Sequence, residues 1–182
     1  MSEGLKIYSS FKAVGETTDD GKIFIEGYAN TTTKDRGRDF IYAEAWEKNT
    51  LEAFMKNPIL LYMHDSRNAV GQVTELSATE GGLYIKGWCY SDSSLFSEGQ
   101  KVKDGVLRTL SVHFDTDWRN VEYDEKADTW YIKKIDDLYE ISITTVPMNA
   151  DSTFSVAKSL GQEKFKELKN NHKKEHNMSL LE

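Results

Sequence analysis

The 182-residue chain sets 23 Lys and Arg against 30 Asp and Glu, a formal net charge of −7, with 38% hydrophobic residues and only 2 prolines. That balance argues against a surface built for phosphate backbones, and no apolar run approaches the roughly 18 residues of a membrane span. A lone cysteine, Cys89, excludes an internal disulfide and a cysteine-rich zinc site, and Met1–Lys6 lacks the basic-then-apolar order of a signal peptide, so a reducing, cytosolic setting is expected.

Leu5 to Val14 carries apolar and β-branched residues and reads as a first strand, followed by an Asp-Gly turn over Thr17 to Gly21. Lys22 to Ala29 alternates Ile23, Ile25 and Gly27 against Phe24, Glu26 and Tyr28, a second strand. Thr31 to Asp39 is charge-dense and reads as a solvated hairpin loop. Glu44 to Asn57 holds good helix formers, with Trp46, Ala53 and Phe54 near helical spacing, and Pro58 ends it. Ile59 to His64 is a buried strand that delivers a polar group at its end. Val70 to Ser77 and Gly82 to Tyr90 form a hairpin around Thr79 to Gly82, with Cys89 on the core parity.

Ser93 to Asp104 reads as a short helix, capped by Ser or Asp and stopped by Gly105. Beyond it Leu110, Val112 and Phe114 alternate with Thr109, Ser111 and His113, a half-buried strand with an apolar underside. Glu122 to Asp128 is an acidic turn, and Trp130 to Ile135 and Leu138 to Val146 are further strands, the last closed by Pro147. From Lys158 onward six Lys face four Glu on a thin apolar stripe of Leu160, Phe165 and Leu168. The composition therefore changes near residue 157. A main domain over 1–156 is expected, with a charged helix or tail over 157–182 as linker or docking segment. About seven short strands with few helices imply a mainly β fold, a closed or highly curved antiparallel barrel ringed by helices.

Ser111 needs a base to become a nucleophile. His172 and His176 lie in the charged tail. His113 shares the face of Ser111, but side chains two apart on one strand diverge. His64 ends a buried strand, where a polar group must be satisfied or useful, and such a histidine can equally be structural. In the last long strand Glu140, Ser142 and Thr144 oppose Tyr139, Ile141 and Ile143; a carboxylate there calls for a partner, and a histidine held in one tautomer fits. A metal-hydrolase reading through His64-Asp65 and Asp35/Asp39 is weaker, because no spaced histidine pair is present.

Across Gly27 to about Phe154 the sequence resembles the tailed-phage prohead (capsid-maturation) protease family. The likeness lies in ordered pieces: Gly27-Tyr28-Ala29, Asp35-Arg36-Gly37-Arg38-Asp39 before Ala45-Trp46, Pro58 through Asp65, Gly71-Gln72-Val73, Gly82 through Ile85, Leu110-Ser111-Val112, Leu138 through Ser142, and Pro147-Met148-Asn149. The resemblance implies a fold like that of the herpesvirus assembly proteases and a serine endopeptidase that needs no cofactor and no metal. It implies Ser111 as nucleophile, His64 as general base and Glu140 as the residue orienting His64; His113 and Ser142, on the same strand faces, are read as substrate-cleft candidates.

The implied setting is the assembling procapsid in the host cytoplasm, and the substrates are scaffolding protein, a scaffold-like segment of the major capsid protein, and the enzyme itself. Homodimerisation is left open, and neither nucleic acid nor membrane is an expected partner. The competing class is a catalytically inactive capsid- or scaffold-binding module on the same fold. Two positions depart from the family: a small residue is usual where His113 stands, and Gly is usual in place of Arg38.

Overall fold

A computed structural model describes residues 21–156, which carry ten strands and two short α-helices. In chain order these are β1 (Lys22–Thr31), β2 (Asp39–Ile41), α1 (Lys48–Phe54), β3 (Ile59–Tyr62), β4 (Asp65–Thr79), β5 (Gly82–Tyr90), α2 (Gly99–Lys103), β6 (Thr109–Asp115), β7 (Val121–Asp124), β8 (Thr129–Ile132), β9 (Asp137–Thr144) and β10 (Phe154–Val156). The strand expected over Leu5 to Val14 and the charged helix expected from Ala157 lie outside the described residues.

Seven strands make one sheet in the order β10-β1-β5-β4-β3-β9-β6. Its two ends meet. Leu110 N donates to Ser152 O at 3.0 Å and Phe154 N to Arg108 O at 2.9 Å, flanking a bridge between Thr109 and Thr153. The sheet therefore curls into a barrel around Ile23, Ile25, Leu60, Val70, Leu83, Ile85, Leu110, Ile141 and Ile143, none of them exposed. Burying each such side chain contributes about 1.5–3 kcal/mol, so closure follows from the alternating apolar positions read in the sequence. The mainly β barrel is as expected, with one correction. It is not wholly antiparallel, because β3 and β9 run parallel with Leu61 opposite Ser142. The long chain between them permits the crossover, and it brings the C-terminal ends of both strands to the same end of the barrel.

A second sheet, β2-β8-β7, joins residues that the sequence assigned to loops and one short strand. It pairs Phe40 with Tyr131 and Tyr123 with Trp130, building aromatic contacts such as Tyr123 to Trp130 at 4.6 Å between ring centroids.

Both helices are shorter than their sequence signals. Over Glu44 to Asn57 a 3-10 turn (Ala43–Ala45) precedes α1, because Ile135 N takes the Ala45 carbonyl at 2.9 Å that a continuous helix would need, and Trp46 leaves helical geometry at ψ 76°. Within Ser93 to Asp104 only Gly99–Lys103 is α-helical, with Asp92 instead organising the preceding turn through Ser94 N at 2.8 Å. Gly105 stops α2 as expected. At φ +70° its N–H reaches Val102 O while Val106 N reaches Lys101 O, the paired closure of a Schellman motif.

The polar loop after β1 is tied down rather than merely solvated. Asn149 Nδ2 donates to Thr31 O and Thr33 O, Thr31 Oγ1 donates to Asn149 Oδ1 at 2.9 Å, and Arg36 N donates to Met148 O at 3.0 Å. Within this loop Arg38 sits at φ +72°, a left-handed conformation that glycine adopts without strain. This gives a physical reason for glycine to suit that position. Arg38 gains in return an ion pair with Asp128 at 2.8 Å, with both side chains at least half exposed, a geometry worth at most about 1 kcal/mol. Arg38→Gly and Arg38→Ala both delete that pair, and only Ala keeps the strain. Urea unfolding should find the Gly variant more stable than the Ala variant by about 1 kcal/mol; the opposite order would contradict the strain argument.

Candidate active site

Three neighbouring strands, β3, β9 and β6, bring Ser111, His64 and Glu140 to one region. β9 lies in the middle, and both of its faces are buried from Glu140 onward. In the antiparallel β6–β9 pair Ser111 stands opposite Ser142, and His113 opposite Glu140. Directly paired residues project to the same side, with Cβ atoms roughly 5 Å apart. Ser111, His113, Glu140 and Ser142 therefore share the face away from Leu110 and Ile141. Ser111 is 6% exposed, whereas His113 is solvent-facing with its ring edge-on to Tyr139 at 5.3 Å.

His64 reaches this face through a turn that the sequence did not signal. Tyr62 pairs with Asp65, so Met63 and His64 are the two central residues of the β3–β4 hairpin, at φ 57° and 58°. Two left-handed residues are the requirement of a type I′ turn, normally met by Asn-Gly. Met and His there cost of order 1–3 kcal/mol each unless the surroundings impose them. Two hydrogen bonds hold them: Met63 N to Ile143 O at 3.0 Å, and His64 N to Ser142 Oγ at 3.1 Å.

The imidazole is then fixed from its other end. His64 Nδ1 is hydrogen-bonded to Glu140 Oε1, and Ser142 Oγ donates to Glu140 Oε2 at 2.6 Å. With the bond from His64 N to Ser142 Oγ, these contacts close a ring. A carboxylate can only accept, so the proton between Nδ1 and Glu140 resides on Nδ1 of the neutral ring, leaving Nε2 as the basic nitrogen. The Glu140 side chain is 9% exposed and that of His64 40%. The hydrogen bond to Glu140 raises the His64 pKa above its ordinary 6.5; partial burial opposes this, and the Glu140 charge adds to it.

Ser142 was expected to line the substrate cleft, and here the structure corrects the sequence reading. Ser142 is 0% exposed, because the strand that puts it on the polar face also lies beneath the His64 turn. Its parity with Glu140 was legible, but its cover was not. Exposed apolar side chains do lie near the strand ends: Met63 is 46% exposed and Val146 72%, with Thr145 Oγ1 at 3.7 Å from Met63 Sδ.

Two of the carboxylates considered for a metal are otherwise engaged. Asp65 is chelated by Arg67 at 2.9 and 3.1 Å, and Asp35 Oδ1 accepts from Asp39 N at 2.8 Å. Among the described residues no three His, Cys, Asp or Glu side chains converge. Cys89 lies in the core with its thiol pKa pushed up to about 12 by burial, which leaves it unreactive at neutral pH. Among the described residues no helix is long and apolar enough to cross a membrane.

Residues 10–167 match the family model described as caudovirus prohead serine protease. The chain belongs to that family. It is 42% identical over 154 residues to the prohead protease of Escherichia phage T5, covering 82% of this chain and 70% of that one. It is also 26% identical over 167 residues to the capsid polyprotein of Pseudomonas phage PAJU2, covering 87% of this chain but only 23% of the polyprotein, so it spans about a quarter of that relative. Among solved structures, KSHV protease in complex with a hexapeptide phosphonate inhibitor aligns with a TM-score of 0.47 at 10% identity, over 76% of this chain and 66% of that one. Varicella-zoster virus protease aligns with a TM-score of 0.41 at 10% identity, over 73% and 63%.

Proposed function

We propose that the chain is the endopeptidase that matures a procapsid, with Ser111 as nucleophile, His64 as general base and Glu140 as the residue that orients the imidazole. The observation that carries this reading is the hydrogen-bonded ring at His64. It supplies a histidine with Nδ1 protonated and Nε2 free, anchored on β9, the strand that pairs with the one bearing Ser111. That is the preparation a serine hydroxyl needs.

In the reaction, His64 Nε2 takes the Ser111 proton as Oγ bonds to the scissile carbonyl carbon, and the C=O electron pair moves onto oxygen. Collapse of this adduct expels the amine, which leaves with the proton held by His64. Water, deprotonated by the same nitrogen, then releases the acyl group and restores Ser111. Glu140 stabilises the imidazolium at each proton transfer without itself being protonated.

The substrates in this reading are scaffolding protein or a scaffold-like segment of the major capsid protein, and the enzyme itself, inside the assembling procapsid. Support comes from the likeness to a capsid polyprotein, whose name joins capsid to a chain containing a stretch similar to this one. The test is labelling of concentrated protein with a serine-reactive fluorophosphonate, together with co-expression with capsid and scaffold proteins. Wild type should be labelled at Ser111 and should process its partners. Ser111→Ala should fold, as judged by circular dichroism, and lose labelling and processing by about 10³-fold or more. Unchanged labelling in Ser111→Ala would move the nucleophile elsewhere.

A further inference from the structure

We propose that Ser142 is a positioning residue for this reaction, its buried hydroxyl setting both the carboxylate that His64 leans on and the turn that carries His64. The inference rests on His64 serving as the base. A serine hydroxyl offers one proton and two lone pairs. The proton goes to Glu140 Oε2 at 2.6 Å, and a lone pair accepts His64 N at 3.1 Å. One oxygen atom thus fixes the backbone of the histidine and the acceptor of its Nδ1 proton, so ring and carboxylate are registered against a single point. With Ser142 at 0% exposure, no solvent can replace either bond. Ser142 also stands opposite Ser111 in the β6–β9 register, so the residue that aims the base lies beside the nucleophile.

The turn explains why such a clamp is needed. Met63 and His64 hold left-handed backbones without glycine, and one of their two anchoring bonds is the one to Ser142. Removing the hydroxyl frees Oε2 to turn and releases the His64 amide together. A buried hydroxyl with a purely structural role gives the comparison. Thr50, 3% exposed, donates to Ile135 O at 3.0 Å rather than to His64 or Glu140.

The test uses the full chain and two readouts: the ring-nitrogen NMR spectrum of His64, which reports its tautomer, and the rate of Ser111 phosphonylation by a fluorophosphonate as a function of pH. In Ser142→Ala the Nδ1–H tautomer should give way to a mixture, and the limiting rate at high pH should fall on the order of 100-fold, as for a reacting group displaced by about 1 Å. Ser142→Thr keeps the hydroxyl and should recover most of that rate. Ser142→Cys, close in size but a weak donor, should show the same loss as Ala and carries the test if Ala fails to fold. Thr50→Ala should lose stability while keeping the tautomer and the rate per folded molecule.

Wild-type tautomer and limiting rate in Ser142→Ala or Ser142→Cys, with labelling lost in His64→Ala, overturns the positioning role alone. Labelling at the wild-type rate in His64→Ala overturns the base assignment and this role with it.

Discussion

Glu140→Gln should fold like the wild type, lose about 10³–10⁴ in the limiting rate of Ser111 acylation, and shift the pH midpoint of the remaining activity downward. The substitution preserves size in a site where the side chain is 9% exposed, so packing is kept while the charge goes. Two consequences follow from the hydrogen bond at Nδ1. An amide can present its NH₂ to the ring and reverse the tautomer, putting the proton on Nε2 where the base is needed. Even when the amide oxygen faces Nδ1, no anion remains to stabilise the imidazolium formed during proton transfer.

The sign of the pH shift comes from the same contact. In the proposed reaction His64 must be neutral to accept a proton, so activity should rise with pH through its pKa. Glu140 holds that pKa above 6.5 in the wild type, chiefly by the hydrogen bond. Without the carboxylate, partial burial remains and lowers it, so the mutant reaches a much lower plateau at a lower pH. Stability shows the matching trend. A raised folded-state pKa means that protonated His64 favours folding, an effect fully present below about pH 6.5 and lost as pH rises through the folded value. Glu140→Gln should remove that fall and, with burial alone acting on His64, turn it into a rise of stability with pH. A wild-type pH midpoint in Glu140→Gln would show that the pair is not coupled in solution.

The parts of this site that were legible in the sequence are those where a polar residue interrupts an apolar pattern. His64 after Ile59-Leu60-Leu61-Tyr62-Met63, and Glu140 among Leu138, Ile141 and Ile143, stand out because burial makes an unpaired polar group costly. The barrel was legible for the same reason, since alternation over Lys22 to Ala29 and Leu110 to Phe114 fixes which face is inside. What stayed hidden depends on partners distant in the chain. Met63-His64 contains no Asn or Gly, so nothing local announces a type I′ turn; Ile143 and Ser142 impose it from another strand. β2 and β7 span three and four residues and are held by pairing with β8, too short to show a period of their own. The helix signal over Glu44 to Asn57 overshot because Ile135, far along the chain, competes for the Ala45 carbonyl.

Gly71→Ala should destabilise the protein by roughly 3 kcal/mol or more, at the upper end of what overpacking costs, and lower its melting temperature by about 10 °C. A Cβ at Gly71 would lie 1.9 Å from Trp88 O and 2.8 Å from Cys89 Cα. Both obstacles are backbone of β5, so no side-chain rotation relieves them. The closeness has a structural cause. Opposite β3 the register of β4 slips, with Leu60 facing Gly71 and Leu61 facing Ala69, so Val70 is an extra residue turned fully into the core. β4 bends there, and only a residue without Cβ lets β5 follow at hydrogen-bonding distance. Because Leu60 pairs with Gly71, separating β4 from β5 also strains β3, four residues before His64. Urea unfolding should therefore show lost stability together with slower fluorophosphonate labelling per folded molecule. Gly105→Ala is the control, since its Cβ would meet nothing within 4 Å and only the φ of +70° penalises it; it should cost about 1 kcal/mol and leave labelling unchanged. Equal stability losses in the two variants would mean that backbone conformation, not the tight β4–β5 approach, sets the cost at Gly71.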